Sequence, residues 1–235
     1  MCRRIYLNSS PDELTRSFPF ADRGAIDSLN DHLPRYNGFP AQVYPIIVRD
    51  LVGGSNESRP VFAPARWEFL PTWLKPGRRP PLINAHCEDI AAHKLFQGAY
   101  KSRRCLIPVT GFFEWERLSG TIQNKQPYAI AMKDGSPFAL AGIWEIWHHP
   151  AGLEIRNFAV VTSAPNKMMA AIHDRMPVVL EQKDYGRWLS PEPDPSDLMK
   201  PFDADAMTMW PVTRRVRNFR NAGPDIINRV DLRMT

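Results

Sequence analysis

The hydrophobic positions of the chain fall in short runs separated by polar and turn-forming residues. Six of these runs have the length and composition of β-strands, and they lie at 43–48, 104–109, 127–133, 138–147, 156–162 and 176–180. The polar stretches 54–60 and 190–197 predict loops. The 23 prolines outnumber the 13 glycines and are spread along the chain. This distribution favours many short elements over long helices.

Helical patterns occupy four separate segments. The first, at 10–18, begins with Ser10, Pro11 and Glu13 in the arrangement of a capping box. The other three lie at 88–100, 166–173 and 181–189. Because the predicted strands run together while the helices stand apart, the pattern favours an α+β fold over alternating α/β. We expect a single domain over 1–235, ending in a short basic segment.

The composition allows a sizeable core, since 43% of the residues are hydrophobic. The longest apolar runs are too short to cross a bilayer and the N-terminus lacks a secretory signal, so we expect an intracellular protein without a membrane partner. The three cysteines, Cys2, Cys87 and Cys105, are odd in number, which argues against a disulfide framework. Cysteine and histidine lack metal-ligand spacing, so we expect neither a metal nor another cofactor.

Positive charge is in modest excess, with 30 Lys+Arg against 25 Asp+Glu. It is concentrated in three clusters at 75–80, 101–104 and 213–220. Such clusters occur on nucleic-acid-binding proteins, and they also occur as an ordinary solvated face. Charge alone therefore leaves nucleic acid as one of two interpretations.

The residues best suited to chemistry lie in four blocks. The chain begins MCRR, so removal of Met1 would leave Cys2 with a free α-amine and a free thiol. The other blocks, LINAHCE, CLIPVTGFFEWE and TSAPNKMMAAIHDRMPVVL, contribute Asn84, Glu88, Glu114, His173 and Arg175. Each residue also has a structural explanation, such as a helix cap for Asn84 or a strand-end carboxylate for Glu114. Taken singly, each favours the structural explanation.

Taken together, the blocks resemble the SRAP (SOS-response-associated peptidase) family. The resemblance rests on MCRR, PRYNGFPAQVYPIIV, ARWEFLPTW, NAHCE, CLIPVTGFFEW, FALAGIWE, TSAPNKMMAAIHDRMPVVL and PVTRRVRN, which occur in this order. These blocks extend from Cys2 to about Asn218. The combination of Cys2 with the GFFEW and IHDRMP blocks is specific.

The resemblance implies a curved, mostly antiparallel β core, flanked by short helices and carrying a DNA-binding cleft. It implies a protein that binds abasic sites, preferentially in single-stranded or junction DNA, and links to them through Cys2 as a thiazolidine. We expect a monomer, because no long amphipathic stripe in the sequence indicates an interface. The catalytic positions carried over are Cys2, Asn84, Glu114 and His173, and the DNA-binding positions are Arg4, Arg175, Pro40, Trp67, His86 and Trp73. The implied compartment is the nucleoid-containing cytoplasm in a bacterium, or the nucleus in a eukaryote.

The chain departs from the family pattern at three positions. Arg3 stands where the family usually has glycine, His86 where it has an arginine implicated in DNA contact, and Glu68 where it has glycine. We expect His86 to weaken or reshape the grip on DNA, and Glu68 to bring an acid near the DNA-facing surface. We expect these changes to affect affinity and strand preference more than the chemistry at Cys2.

The residues suit that chemistry. An N-terminal α-amine has a pKa of about 7.7–8.0, so an appreciable fraction is neutral near pH 7 and able to attack the aldehyde of a ring-opened abasic sugar. The thiol of the same residue then closes the ring intramolecularly. Glu114 is expected to move protons, His173 to assist opening of the sugar, and Asn84 to orient the sugar or Cys2. Weak lyase activity by β-elimination is a further expectation.

Other functions remain open at this point. An N-terminal-nucleophile amidohydrolase also begins with a mature cysteine, but the arginine and Asn-Gly signatures of a glutaminase pocket are missing. A thiol peptidase using Cys2, His173 and Glu114 is the second alternative, and removal of Met1 by autocleavage or by an aminopeptidase is the only cleavage we expect. A DNA-binding module without catalysis is the third.

Overall fold

The computed structural model describes residues 2–51, 57–73, 82–116 and 125–232. Within these ranges the α-helices are short: α1 (Pro11–Ser17), α2 (Gln97–Ser102) and α3 (Tyr185–Leu189). The strands are β1 (Ile5–Leu7), β2 (Arg35–Gly38), β3 (Val43–Leu51), β4 (Ser58–Trp67), β5 (Asn84–His86), β6 (Arg104–Val109), β7 (Gly111–Trp115), β8 (Pro127–Met132), β9 (Phe138–His148), β10 (Glu154–Ser163), β11 (Met176–Pro177), β12 (Val179–Leu180) and β13 (Met207–Pro211).

Five strands close into a barrel. β3 pairs with β4 and β6, β6 pairs with β9, and β9 pairs with β10, all antiparallel. β10 then pairs in parallel with β4 and completes the ring. The α+β class and the curved, mostly antiparallel core are therefore confirmed.

A second sheet has five antiparallel strands in the order β13-β8-β7-β1-β2. In it the first strand of the chain lies between β2 and β7, and Ile5 is opposite Phe112 of β7. This pairing brings the N-terminal residues into the middle of the molecule, beside the barrel.

Alternation of side chains along the barrel strands divides the apolar residues into two clusters. Ile47 and Leu106 belong to a cluster that includes Trp188 and buried residues of all three α-helices. Their neighbour Ile46 belongs to a second cluster, which joins the barrel to the five-stranded sheet and includes Cys2. The second cluster therefore positions the N-terminal segment.

The six predicted strands are all present, and the sequence pattern missed β1, β2, β4, β5, β7 and β13. The run at 176–180 forms two strands separated at Val178, whose N–H donates to Val161 O at 2.9 Å. β4 was missed because it contains Pro60 and Pro64, which argue against a strand. Residues 58–60 of the predicted loop 54–60 belong to β4, which corrects that prediction. Residues 54–56 and the whole basic cluster 75–80 lie outside the described residues.

Two predicted helices are wrong over most of their length. In 88–100, only the end is helical, and the earlier part forms successive turns in which His93 Nδ1 accepts the N–H of Leu95 at 3.3 Å. Such local side-chain bonds compete with the helical ladder. In 166–173, a single 3₁₀ turn forms at Met169–Ala171. The prediction at 181–189 is confirmed as a 3₁₀ turn leading into α3.

The capping box at 10–18 is confirmed. Ser10 Oγ accepts the N–H of Glu13 at 3.3 Å, and Glu13 Oε2 accepts the N–H of Ser10 at 2.7 Å. We expect Ser10→Ala to lower the free energy of unfolding by about 1 kcal/mol, measured by urea denaturation. Ser28→Ala, at an exposed serine whose hydroxyl donates to Ala25 O, serves as control. Equal losses in the two variants would contradict a capping role.

Of the helices in the described ranges, none is long and apolar enough to cross a membrane.

Candidate functional site

Cys2 lies at the junction of the two sheets. The ladder between β1 and β7 continues toward the N-terminus, where Phe113 N–H donates to Arg4 O at 2.9 Å. Cys2 is 0% exposed and packs in the apolar cluster shared by both sheets. The N-terminal segment is thus held against β7, the strand that carries Glu114.

Asn84 fixes the main chain of Cys2. β5 pairs in parallel with β10, with Asn84 opposite Val160. Its Nδ2 donates to Cys2 O at 2.9 Å. Its Oδ1 is buried and, within the described residues, accepts no hydrogen bond. Asn84 therefore anchors Cys2 with one end of its amide and offers an open acceptor with the other.

His173 and Glu114 face each other across the site. His173 Nε2 lies 3.8 Å from Glu114 Oε1, and the two side chains are 10% and 6% exposed. His173 is positioned by the 3₁₀ turn before it, since its N–H donates to Met169 O at 2.8 Å. After it, Met176 of β11 pairs with Ser163 at the end of β10. The imidazole is therefore supported from both sides.

The hydrogen bonds of His173 assign its neutral tautomer. Nδ1 accepts the N–H of Arg175 at 3.0 Å, so the proton of the neutral ring lies on Nε2, the nitrogen facing Glu114. Asp174 Oδ1 is 3.1 Å from Nδ1, and its side chain is 58% exposed.

Burial raises the pKa of the Cys2 thiol to about 12, and the negative charge of Glu114 acts in the same direction. The resting group is therefore a neutral thiol rather than a thiolate. A thiol peptidase requires the reverse, because the thiolate is its nucleophile.

This protonation state predicts the order of thiol alkylation in the folded protein. Burial also raises the pKa of Cys87, to about 11, but Cys87 is partly exposed, whereas Cys2 and Cys105 are fully buried. We expect iodoacetamide to modify Cys87 first, with Cys2 and Cys105 reacting at least about 10-fold more slowly. Peptide mapping by mass spectrometry measures the three rates. Fastest reaction at Cys2 would instead indicate a thiolate there.

Arg4 lies beside a cavity adjacent to Cys2. Its Nη2 donates to Arg217 O at 3.0 Å, its guanidinium lies 5.3 Å from the centre of the Phe39 ring, and burial lowers its pKa. The cavity has a volume of about 390 Å³ and is lined by Arg3, Arg4, Phe39, Pro40, Ile83 and Trp115. Arg4 and Pro40, both predicted to contact DNA, therefore share one concave surface.

Arg175 is engaged by a carboxylate. Its guanidinium binds Glu88 at 2.5 and 2.9 Å and also donates to Thr162 O at 2.6 Å. The hydrogen bonds from Arg175 lower the pKa of Glu88 to about 2. A phosphate reaching Arg175 therefore has to displace Glu88, whose side chain is 54% exposed.

The remaining predicted DNA-binding residues differ in their positions. His86 is half-buried at the end of β5, and Trp73 is 63% exposed. Trp67 requires a correction: it is 0% exposed, stacks on Phe158 and donates from Nε1 to Ile83 O, so it has no face open to a base. Its apolar neighbours on β3 and β10 enclose the ring.

Two charged features also differ from expectation. Glu68 is 6% exposed and lies 2.7 Å from Arg66 Nε, so its carboxylate does not lie on an open DNA-facing surface. Within the cluster 101–104, Arg104 is 5% exposed and donates to main-chain carbonyl oxygens, among them Trp188 O at 2.7 Å. Arg104 therefore closes the ends of α2 and α3 rather than facing solvent.

Sequence reasoning missed two asparagines that organise the site. Asn166 Oδ1 accepts the N–H of Met169 at 2.9 Å and so caps the turn before His173. Asn37, 2% exposed, holds the basic C-terminal segment by its side-chain amide. Asparagine directly before KMMAA is a recognisable cap signal, whereas nothing local to Asn37 indicates contacts 179 residues away. Among the described residues, no group of three or more His, Cys, Asp or Glu is placed to hold a metal.

Solved structures share this architecture. A protein from Bacteroides thetaiotaomicron has a TM-score of 0.81 at 24% identity, covering 97% of this chain and 100% of that one. A phage-related protein from Bordetella bronchiseptica has a TM-score of 0.66 at 26% identity, covering 91% and 95%. These similarities support the fold.

Sequence comparison identifies the family. The abasic site processing protein YoqW of Bacillus subtilis is 33% identical over 235 residues, which cover 97% of this chain and 99% of YoqW. The abasic site processing protein HMCES of Rattus norvegicus is 27% identical over 272 residues, covering 99% and 77%. The family model described as SOS response associated peptidase (SRAP) matches residues 1–219. The chain therefore belongs to the SRAP family.

Proposed function

We propose that this chain processes abasic sites in DNA, and that it does so by joining the abasic sugar covalently through Cys2. The observation that carries the proposal is the convergence of Asn84, Glu114 and His173 around Cys2, with the main chain of Cys2 anchored by Asn84. YoqW, a relative of similar length, and the longer HMCES are both named abasic site processing proteins, which supports the same substrate for this chain.

The first step uses the amine. Removal of Met1 frees the α-amine of Cys2, which attacks the aldehyde carbon of the ring-opened sugar to give a carbinolamine. Loss of one water yields an iminium ion. The amine acts first because its pKa of about 7.7–8.0 leaves a useful neutral fraction near pH 7, whereas burial holds the thiol protonated.

The second step uses the thiol. Sulfur adds to the iminium carbon and forms a C–S bond, the C=N bond becomes a single bond, and the thiol proton leaves to a base. The product is a five-membered thiazolidine, and the overall reaction releases one water. Both reacting groups belong to one residue, so the effective concentration of the thiol is high.

The proton transfers in these two steps use the two facing side chains, Glu114 and His173. Glu114 lies close enough to Cys2 for its charge to act on the thiol, so it can accept the thiol proton and supply one to the departing water. His173 presents Nε2–H toward the same place and protonates or polarises the sugar oxygen during ring opening. The open Oδ1 of Asn84 accepts a hydrogen bond from the amine or from a sugar hydroxyl.

DNA binding requires cations around this site. Arg4 lies two residues from Cys2 beside the cavity, and Arg175 lies two residues from His173. We further propose that the acting form is a monomer on single-stranded or junction DNA, in the compartment that contains DNA. An unpaired strand can place its sugar in the site without the cost of unstacking a duplex.

Two side activities follow from this chemistry. The iminium intermediate can lose the 3′ phosphate by β-elimination, which gives weak strand cleavage. Removal of Met1 precedes all of the steps, whether the chain cleaves itself or an aminopeptidase acts. Amide hydrolysis or peptide hydrolysis by Cys2 is the less favoured alternative, because the thiol is neutral and buried next to a carboxylate.

The test uses single-stranded DNA with one abasic site, incubated with the mature protein and then denatured. We expect a retarded band that survives denaturation, and a weaker band with the same lesion in duplex DNA. Borohydride-reduced abasic DNA, in which an alcohol replaces the aldehyde, is the matched control and gives no band. Absence of a band with aldehyde-bearing DNA would contradict the proposal. Glutamine and small amides would then be tested as substrates.

A further inference from the structure

Phe219 exposes an aromatic ring within a basic segment. It is 52% exposed and lies beside Arg220 in the cluster 213–220. Arg214 and Arg220 of this cluster are exposed as well. An accessible aromatic ring among cations is typical of surfaces that bind single-stranded nucleic acid. The chemistry at Cys2 does not use this residue.

The segment that carries Phe219 is held firmly. The buried side-chain amide of Asn37 donates from Nδ2 to the main-chain oxygens of Val216, Asn218 and Asn221, at 3.1, 3.2 and 2.8 Å. The side chain of Arg217 donates to Lys125 O. Because its main chain is anchored on both sides, Phe219 presents its ring in a fixed place, and ordering it on binding costs little entropy.

The Phe219 ring contacts an aromatic residue of the cavity beside Cys2. The centres of the Phe219 and Phe39 rings lie 5.2 Å apart at 48°. Phe39 in turn lines the cavity of about 390 Å³ and lies under the Arg4 guanidinium. The cavity also includes Ile83, the residue before Asn84. Phe219 therefore extends the wall of this cavity away from the reacting groups.

We propose that Phe219, together with Phe39, forms a stacking site for an unpaired nucleobase next to the abasic nucleotide. The occupant is a base of single-stranded DNA, because the surrounding side chains Arg3, Arg4 and Arg220 complement the phosphates on either side of such a base. Stacking on an aromatic ring accepts any base, so the site needs no sequence preference. This inference rests on the proposed function for its choice of DNA.

The experiment measures binding without covalent chemistry. Single-stranded DNA carries a tetrahydrofuran abasic analogue, which has no aldehyde, and 2-aminopurine on its 5′ or 3′ side. The full chain is titrated as wild type, Phe219→Ala, Phe219→Leu and Phe219→Tyr. Leu153→Ala, at a leucine that is 61% exposed in the turn after β9, is the control. Thermal unfolding midpoints check that each variant is folded.

We expect the wild type to quench 2-aminopurine at one of the two positions. Phe219→Ala weakens the affinity about 10-fold and removes the quenching, Phe219→Tyr restores both, and Leu153→Ala leaves both unchanged. Absence of quenching at both positions in the wild type would overturn the proposal. So would wild-type affinity and quenching in Phe219→Ala or in Phe219→Leu, because an apolar contact without an aromatic ring is not stacking.

The two proposals fail separately. Loss of the denaturation-resistant band on aldehyde-bearing DNA removes the covalent mechanism and leaves the tetrahydrofuran measurement unaffected. Wild-type binding in Phe219→Ala removes the stacking site and leaves adduct formation by Cys2 standing.

Discussion

Replacing Cys2 with serine abolishes the denaturation-resistant adduct on abasic DNA while leaving a Schiff base that borohydride traps. Serine retains the α-amine after Met1 is removed, so the first step proceeds. Its hydroxyl is a far weaker nucleophile than a thiol toward the iminium carbon, and the stable ring does not form. We expect the yield of stable adduct to fall at least about 100-fold, since the intramolecular thiol supplies the ring closure.

Two controls show whether the loss of adduct is due to the thiol and the amine of Cys2. Cys87→Ser removes a partly exposed thiol elsewhere and keeps wild-type adduct formation. A form that retains Met1 keeps the thiol but blocks the amine, and it gives neither the stable adduct nor the trapped Schiff base. The measurement is a denaturing gel with and without borohydride. A stable adduct at wild-type yield from Cys2→Ser would exclude the thiazolidine.

We expect replacing Glu114 with glutamine to slow adduct formation by about 10²–10³-fold, because the site would lose the group proposed to move protons at Cys2. The substitution keeps the shape of a side chain that is only 6% exposed. Binding to tetrahydrofuran-containing DNA stays within about twofold of wild type, which separates a chemical role from a structural one. Single-turnover adduct formation, followed by quenched time points, gives the rate. Glu116→Gln, two residues further along the same segment, is the matched control.

We expect Glu114→Gln to have an opposite effect on a second quantity, the rate at which the Cys2 thiol is alkylated. The charge of Glu114 contributes to the raised pKa of the Cys2 thiol, so its removal lowers that pKa and increases the thiolate fraction. We expect Cys2 to alkylate faster in this variant while it forms the adduct more slowly. A decrease in both the alkylation rate and the adduct rate would indicate that Glu114 acts only by supporting the fold.

The pH profile of the wild type follows from the same groups. The adduct rate rises as the α-amine deprotonates, with a midpoint near its pKa of about 7.7–8.0. It does not require ionisation of the thiol, because that pKa is raised to about 12. A midpoint set by thiol ionisation would place the rise far above pH 8 and contradict the amine-first order.

Local signals predicted much of the architecture. The runs at 104–109 and 138–147 were predicted as strands with nearly their observed bounds, because continuous apolar runs of that length are buried on both faces. The capping box of α1 was equally local. β4 was missed because its prolines argue against a strand, and only its nine-residue ladder with β3 makes the conformation favourable.

Cys2, Asn84, Glu114 and His173 were named from the family resemblance, and the structure places them close to one another, while their catalytic roles stay a prediction. Trp67 was wrongly assigned to the DNA surface. A tryptophan in a matching block can be buried or exposed, and the sequence does not show which way its ring faces. Its position opposite Phe158 in the apolar cluster is a property of the packed barrel.

The amino-acid sequence by itself determined the strand-rich class, the cap of α1, the position of a cysteine directly after Met1 and the family. Tertiary structure alone decided that Cys2 is buried, that Arg175 is held by Glu88 and that Phe219 faces Phe39. The physical reason is separation along the chain: local propensity and chemistry are properties of neighbouring residues. Burial, protonation state and salt-bridge partners depend instead on strands 80 or more residues apart, such as those that bring Asn84 to Cys2.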